Sequence, residues 1–355
     1  MVVISPVVLV SATVLAIVCA VCAVNAISGG NGQRAVSKEE SRVYALWRMK
    51  YGKLESTPAE RDFRMRVFLK EYKFVEEANQ KYTQWKLAKG EAVSDKPTFE
   101  ANYFADMTEE EFVKAYTGAR VEPDTIESDD QEFESELASA GNIVKGLGED
   151  VYVPRLRNQG HCGSCWAFGT IAVAEKHYWN LNRQQVDLAH QELLDCDTYD
   201  SGCNGGSTVS GLFYINRNNI ALASDYPYVA ANGACEKEGK KRVTLKGTMS
   251  PRSISFSNST AHKMASAGTI PSVSLYAAKT FRYLAPTEEV FDASSAGDEC
   301  QEAINHMIAI IGRGTDHLVV LNSWGDKWGV KGVKKLKPCS PNNFWGSNSI
   351  LVTAK

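Results

Sequence analysis

The sequence predicts an α+β protein in which a helical N-terminal part precedes a larger part that mixes helices and strands. Residues 38–90 place apolar and aromatic side chains at helical spacing among charged ones. A second helical pattern follows Cys165, and its stripe consists of Trp166, Thr170, Ala174 and Tyr178. Toward the C-terminus, residues 304–311 and 318–321 are short apolar runs followed by glycines, which is typical of strands. At 355 residues the chain is long enough for more than one domain.

The composition is that of an ordinary globular protein, with 44% apolar and 23% charged residues. The formal net charge is −3 and no dense block of Lys and Arg occurs, so we expect no nucleic-acid partner. Residues 331–337 are locally basic. We predict that they form the solvent face of a strand or loop.

The N-terminal residues 1–26 differ from the rest of the chain. Residues 2–24 are almost entirely apolar and lead into Val24-Asn25-Ala26, a small-x-Ala pattern that suits signal peptidase. We therefore predict a signal peptide over residues 1–26 and no stable membrane association. A membrane anchor is the alternative, because no basic residue precedes the run and about 20 apolar residues can span a bilayer. Either segment directs the chain into the secretory pathway, to a lysosome or vacuole or to the extracellular space.

Residues 38–90 predict two amphipathic helices with a break near Tyr51-Gly52 and Thr57-Pro58. Thr57 can cap the second helix, Pro58 suits its first turn, and Glu60 completes a Thr-x-x-Glu capping box. Residues 121–142 are acidic and lack core residues, so we predict a linker, the kind of segment where proteolytic nicking concentrates. A solvated loop within one domain is the alternative for the acidic stretch.

The chain contains nine cysteines, of which Cys19 and Cys22 lie in the predicted signal peptide. The others are Cys162, Cys165, Cys196, Cys203, Cys235, Cys300 and Cys339. In an oxidising compartment, this odd remainder predicts three disulfide bonds and one free, reactive thiol.

Cys165 stands where a segment rich in glycine and serine gives way to a helical pattern. Ser164 is a natural helix cap, which places Cys165 in the first turn. The partial positive charge of a helix N-terminus favours the thiolate, the nucleophilic form of cysteine. Cys162 and Cys165 have three other possible roles: a redox pair, half of a zinc site, or ordinary disulfide cysteines. The sequence lacks the βαβ pattern and the second Cys-x-x-Cys that would support the first two.

A histidine and an asparagine near the C-terminus can complete a nucleophilic site. His306 stands at the head of one apolar run, and Asn322 follows the next, close to Trp324. An imidazole can take the thiol proton and return it to the leaving amine. The asparagine carbonyl can accept from the other ring N–H, and the indole can keep water from that hydrogen bond. Without such partners, a histidine on an apolar strand is usually a satisfied core residue.

Together these residues resemble the papain and cathepsin family. Its mark is Cys-Gly-Ser-Cys-Trp with a histidine and an asparagine roughly 130–150 residues downstream, and Cys162 to Trp166 match it. The resemblance implies two lobes, one mainly helical and one a β-barrel-like sheet, with a cleft between them. It implies that Cys165 attacks the scissile carbonyl, that His306 is base and acid, and that Asn322 orients His306. Gln159 and the Cys165 backbone N–H would form the oxyanion hole, and no metal or organic cofactor is implied.

The resemblance extends to cathepsin L-type prodomains. Glu60, Arg64, Phe68, Val75 and Asn79 keep the spacing of that family's helix motif, with Glu71 where Asn is usual. Asn102, Phe104 and Asp106 match the following short motif, with Glu100 in place of its Gly. We expect residues 27–135 to be an inhibitory prodomain and linker laid through the cleft, and residues 136–355 to be the peptidase domain. A helical bundle of unrelated role is the alternative.

The resemblance also implies disulfide pairs and substrate contacts. The pairs are Cys162–Cys203, Cys196–Cys235 and Cys300–Cys339, with Cys165 free. Gly163, Gly205 and Gly206 would let a peptide backbone approach the enzyme. Residues near the pocket for the side chain before the cut are Ser207, Thr208, Leu275, Ile304 and Met307, and Asn305 and Trp324 complete the substrate-binding set. Ser207 and Thr208 replace larger residues of the family.

The implied function is an endopeptidase made as a zymogen. The sequence has no His-His pair, which would have indicated the occluding loop of the dipeptidases in this family. Expected partners are polypeptide substrates, the chain's own prodomain and cystatin-like inhibitors, and we expect a monomer. Asn258-Ser259-Thr260 is a sequon and predicts glycosylation. Two other hypotheses are a catalytically silent peptide-binding homologue and a thiol oxidoreductase that uses Cys162 and Cys165.

Overall fold

The computed structural model describes residues 35–54, 57–120, 152, 154–266, 268–347 and 349–354. The predicted signal peptide and the predicted linker over 121–142 lie outside the described residues. The chain divides into a short unit that ends at Ala45 and a large unit that begins at Leu46. In the described part of the short unit, Ser37 and Glu40 cap a helix reciprocally, because each backbone N–H donates to the other's side chain.

Helices α1 (Lys38–Tyr51), α2 (Pro58–Ala88) and α3 (Glu109–Tyr116) form the N-terminal part. The predicted break between α1 and α2 is confirmed, and Thr57 caps α2 by accepting from Glu60 N–H at 3.1 Å. The carboxylate of Glu60 accepts instead from Arg64 Nε at 2.7 Å, so only the Thr57 half of the predicted capping box is seen. Arg64 also binds both carboxylate oxygens of Glu111 on α3, which ties the two helices together.

Three helices build the first lobe of the larger part: α4 (Cys165–Asn182), α5 (His190–Cys196) and α6 (Thr208–Asn218). The predicted helix after Cys165 is confirmed. Its residues Trp166, Thr170 and Ala174 are fully buried, because α5 and α6 pack around it. A short antiparallel pair, β1 (Ile220–Ala221) and β2 (Arg242–Val243), follows α6.

The second lobe is a sheet, and its strand order within the described residues is β3-β9-β4-β6-β7-β8-β5. The strands are β3 (Pro251–Ser255), β4 (Ser272–Leu275), β5 (Val290–Asp292), β6 (His306–Arg313), β7 (Leu318–Leu321), β8 (Val333–Lys337) and β9 (Ile350–Ala354). All pairs are antiparallel except β5 with β8. Helix α7 (Asn258–Ser266) and the single turn α8 (Lys279–Arg282) accompany the sheet. None of the helices in the described part of the chain could span a bilayer.

The predicted solvent face of residues 331–337 is wrong at Lys334. Residues 333–337 form β8, whose alternate side chains point inward, and Lys334 is only 2% exposed. Its ammonium donates to the main-chain oxygens of Ala285 and Thr287 and to the Thr287 hydroxyl. Burial lowers the pKa of Lys334 to about 8. The three acceptors explain how an amine is tolerated in this core.

The described residues form three disulfide bonds, each within one lobe: Cys162–Cys203 and Cys196–Cys235 in the first lobe and Cys300–Cys339 in the second. These are the pairs that the resemblance implied. Among the described cysteines only Cys165 is free. Because Cys162 is bonded to Cys203, a Cys162–Cys165 redox pair does not exist in this structure.

Candidate active site

Cys165 is the first residue of α4 and is completely buried. Ser164 occupies the N-cap position as predicted, but its side chain makes no capping hydrogen bond. Its hydroxyl instead lies 2.7 Å from the hydroxyl of Tyr228. The backbone N–H groups at the start of α4 are therefore not taken up by the Ser164 side chain.

His306 is the first residue of β6 and is completely buried. Its Nε2 lies 2.8 Å from Oδ1 of Asn322, the residue that follows β7. The same Oδ1 accepts from the backbone N–H of Ser323 at 2.8 Å, which identifies it as the amide oxygen. Nε2 must then carry the proton of a neutral imidazole. Nδ1, which has no hydrogen-bond partner among the described residues, is left as the basic nitrogen.

Trp324 covers this histidine–asparagine pair. Its ring centroid lies 4.7 Å from that of His306 with the planes 31° apart, and Trp324 is 2% exposed. An indole at this place shields the Nε2–H···Oδ1 hydrogen bond from water, and hydrogen bonds are stronger in such a low dielectric.

Gln159 is held from both lobes. Its backbone N–H donates to Ser323 O at 2.8 Å, and its side-chain Oε1 accepts from the Ser323 hydroxyl at 2.6 Å. Its Nε2 donates one hydrogen to Cys162 O at 2.8 Å. A primary amide has two N–H donors, so the second remains for an oxyanion.

Backbone hydrogen bonds across the two lobes run alongside Gln159, and we call them the interlobe clasp. The clasp consists of two hydrogen bonds, Gln159 N–H to Ser323 O and Gly325 N–H to Arg157 O at 3.0 Å, which together form the antiparallel bridge between Asn158 and Trp324. It joins the segment before Cys165 directly to the segment that carries Asn322.

The thiol and the imidazole are both neutral in this state. Burial raises the pKa of Cys165 to about 12 and lowers that of His306 to about 4. The sequence led us to expect that the helix N-terminus would favour the thiolate, but complete desolvation outweighs that effect here. The backbone of Met307, next to His306, hydrogen-bonds to the thiol, so the sulfur lies beside the strand that begins with the histidine.

The desolvating group is the segment after α3, which runs through the cleft. The backbone N–H groups of Gly118 and Ala119 donate to Asn305 O at 2.8 and 2.9 Å. Gly206 donates to Gly118 O, and Ala119 forms a parallel bridge with Gly206. A Cβ on Gly118 would lie 2.1 Å from the carbonyl oxygen of Gly163, so any larger side chain at this position would clash with the backbone.

Residues of α2, of α3 and of the segment between them contact α8 and Tyr283, which follows it. Glu71 of α2 is 3% exposed and accepts from Lys279 Nζ at 2.7 Å and from the Tyr283 hydroxyl at 3.1 Å. Arg282 is fully buried and donates to Glu109 at 2.6 Å. The backbone N–H of Glu100 donates to Tyr283 O at 2.8 Å.

Two of the predicted substrate-binding residues, Gly205 and Gly206, lie against Gly118 of the segment after α3, and the substrate-binding role of the whole set stays a prediction. Gly205 has a φ of +107°, which favours glycine, and a Cβ on Gly206 would meet Asp200 and Trp166 at 2.6 and 2.7 Å. Leu275 pairs with His306 across β4 and β6, next to Met307. Ser207, Thr208, Leu275 and Met307 are buried, and Ile304 is half-buried.

Sequence reasoning assigned no role to Ser323, Gly118 or Tyr228. Ser323 lies between two residues that were singled out, so its position was the available signal. Gly118 and Tyr228 act through partners far away in sequence, and no local pattern marks them. Asn258 begins α7, half-buried, and Thr260 of the same sequon is 5% exposed, so glycosylation there stays a prediction. Within the described residues no three His, Cys, Asp or Glu side chains are grouped to hold a metal.

A helix-borne thiol, an imidazole oriented by an amide, and a blocking segment in the cleft define the class of latent cysteine proteases. The comparisons with known proteins give the family. Residues 146–345 match the family described as papain family cysteine protease, and residues 44–112 match the cathepsin propeptide inhibitor domain. The chain belongs to the papain family of cysteine proteases and carries an inhibitory propeptide domain.

Two plant cysteine proteases are similar to this chain in sequence, and one solved structure is similar in fold. The chain is 32% identical to cysteine protease XCP2 of Arabidopsis thaliana over 310 residues, which cover 83% of this chain and 80% of that protein. It is 31% identical to the probable cysteine protease RD21B of the same plant over 84% of this chain, and spans 62% of that relative's length. The fold is similar to digestive procathepsin L 3 of Tenebrio molitor, with a TM-score of 0.69, 21% identity and coverage of 90% and 99% of the two chains.

Proposed function

We propose that this chain is the zymogen of a cysteine endopeptidase that cuts polypeptides through a thioester acyl-enzyme. Cys165 is the nucleophile, His306 takes its proton and passes it to the leaving amine, and Asn322 orients the imidazole. The second Nε2–H of Gln159 and the backbone N–H of Cys165 stabilise the tetrahedral oxyanion. The observation that carries the proposal is the His306–Asn322 pair, whose tautomer leaves the basic Nδ1 free.

Latency follows from burial. While residues 117–119 fill the cleft, the thiol is neutral and no peptide can reach it. Once this segment leaves, water enters, the desolvation penalty falls, and proton transfer from Cys165 to His306 becomes favourable. We infer that residues 1–26 are a signal peptide, that residues 27–135 are removed as prodomain and linker, and that residues 136–355 form the active enzyme.

The substrate would bind extended along Gly205-Gly206, with its side chain before the cut directed toward Leu275, Ile304 and Met307. The backbone hydrogen bonds that Gly206 makes with Gly118 and Arg120 support this placement, because a peptide substrate offers the same groups. We further propose a monomer in the secretory pathway, sensitive to cystatin-like inhibitors.

The test is a peptide-library cleavage profile of the acid-matured protein, run beside Cys165→Ala. An epoxide that alkylates thiols should label Cys165 in the matured protein and not in the intact zymogen. Cleavage that persists in Cys165→Ala, or a matured protein that neither cuts peptides nor reacts with the epoxide, would contradict the proposal. The second outcome would favour a silent, peptide-binding homologue.

A further inference from the structure

The hydroxyl of Tyr228 contacts both sides of the oxyanion hole. It donates to the carbonyl oxygen of Gln159 at 2.7 Å and lies 2.7 Å from the hydroxyl of Ser164. Gln159 supplies the side-chain donor of the hole, and Ser164 immediately precedes Cys165, which supplies the backbone donor. One phenolic oxygen therefore joins the two peptide segments that must stay aligned.

The direction of these hydrogen bonds is determined by chemistry. A carbonyl oxygen can only accept, so the single hydrogen of Tyr228 points to Gln159 O. The hydroxyl of Ser164 then donates to Tyr228 at 2.7 Å, a closer partner than Cys162 O at 3.4 Å. Burial raises the pKa of Tyr228, which keeps its phenol protonated and preserves the donor at every pH at which the enzyme would work.

The ring of Tyr228 is itself held in place. It packs edge-on against Phe168 of α4 with centroids 5.2 Å apart, and Phe168 packs at 4.2 Å against His190 of α5. The next residue along, Val229, donates its backbone N–H to Gln191 Oε1 at 2.9 Å. The hydroxyl thus sits on a support anchored to two helices, which a positioning group requires.

Resting on the proposed function, we propose that Tyr228 is a positioning residue of the oxyanion hole, which keeps Gln159 and the start of α4 in register as charge develops on the substrate oxygen. It touches no substrate atom. A small displacement of such a donor lowers the rate, because hydrogen-bond donors stabilise the transition state only when they already point at the oxygen on which charge develops.

Tyr228→Phe tests this inference, because it removes only the hydroxyl and keeps the ring against Phe168. The matched control is Tyr226→Phe, two residues earlier, whose hydroxyl bonds to Asp195 and Ala234 and to no part of the oxyanion hole. Four quantities are measured on the enzyme that acid matures from the full-length chain: kcat and KM for a peptide amide, the affinity for a peptide aldehyde, and the rate of Cys165 alkylation by iodoacetamide. The aldehyde forms a tetrahedral adduct that uses the hole, and iodoacetamide does not.

For Tyr228→Phe we expect kcat and aldehyde affinity to fall about tenfold with KM and the alkylation rate within about twofold of wild type. Tyr226→Phe should match wild type in all four quantities. Ser164→Ala removes the other end of the chain of hydroxyls and should show a smaller loss of the same kind, which keeps the test valid if Tyr228→Phe folds poorly.

The inference is overturned if Tyr228→Phe keeps the wild-type kcat, or if alkylation falls together with kcat, since a general structural role would lower both. An equal loss in Tyr226→Phe would overturn it too. A wild-type protein that cuts no peptide would refute the proposed function itself and this inference with it. A wild type that cuts normally beside an unimpaired Tyr228→Phe would refute only the role of Tyr228.

Discussion

The buried contact of Glu71 gives a quantitative prediction about latency. This carboxylate stands where related prodomains usually have Asn, and it accepts from Lys279 and Tyr283 on the peptidase part. Glu71→Ala removes both hydrogen bonds from a site only 3% exposed and leaves the two donors without this acceptor. Lys279 keeps about a quarter of its side chain exposed and can turn to water, so the loss should resemble that of a charge-assisted hydrogen bond, about 1.5–3 kcal/mol.

Weaker binding of the prodomain in Glu71→Ala should raise the fraction of molecules in which the cleft is open. Cys165 is completely buried in the zymogen, so alkylation by iodoacetamide requires the segment at residues 117–119 to leave first. A loss of about 1.5–3 kcal/mol then predicts alkylation about 10- to 150-fold faster in the unprocessed Glu71→Ala chain at neutral pH. Mass spectrometry of the intact chain measures the rate and shows that no processing has occurred.

The matched control is Glu77→Ala on the same helix. Glu77 pairs with Lys73 at 3.7 Å, and both side chains are more than half exposed. Exposed pairs of this kind contribute little, so the labelling rate should change less than about twofold. Equal rates in wild type and Glu71→Ala, or equal acceleration in Glu77→Ala, would refute the claim that the Glu71 contact holds the prodomain down.

Three further predictions concern the peptidase part. Asn322→Ala should lower kcat about 10²-fold with a small change in KM, because His306 loses the acceptor that fixes its tautomer. Steady-state kinetics of the matured enzyme measure both constants, and a kcat within about threefold of wild type would contradict the prediction. Burial lowers the pKa of His190 well below its usual value, so as pH falls below about 6.5 the unfolded chain takes up a proton that the folded chain does not, and the free energy of unfolding declines. In a Cys165→Ala background, denaturant unfolding should show that this free energy falls less steeply with decreasing pH in His190→Phe, and an identical pH dependence in both chains would disprove the prediction. Replacing Cys300 and Cys339 together by Ser should cost about 2–4 kcal/mol of unfolding free energy, and an unchanged urea midpoint would count against a stabilising role for that bond.

Features that depend on neighbours in sequence were predictable. The start of α2 at Pro58, the position of Cys165 in a first helical turn and that of His306 at the head of a strand all follow from local pattern and capping chemistry. The family motif then related residues that lie far apart in the chain.

Features that depend on distant partners were not predictable. Ser164 was expected to cap α4, but Tyr228, 64 residues away, engages its hydroxyl. Lys334 looked like a surface residue because nothing local shows that its strand faces inward beside the carbonyls of Ala285 and Thr287. The prediction that Cys165 would be a thiolate was wrong for the same reason, since the segment that desolvates this residue belongs to another part of the fold.

The interlobe clasp has a consequence for how this architecture diverges. Part of the relative placement of nucleophile and base is carried by a few peptide units, from Arg157 to Gln159 on one side and from Ser323 to Gly325 on the other. Main-chain hydrogen bonds carry that placement, and they are indifferent to most side-chain replacements. Helices and strands remote from the interlobe clasp can then change in sequence, length or packing without displacing the reacting groups. Substitutions at such remote positions should therefore leave the placement of Cys165 and His306 unchanged.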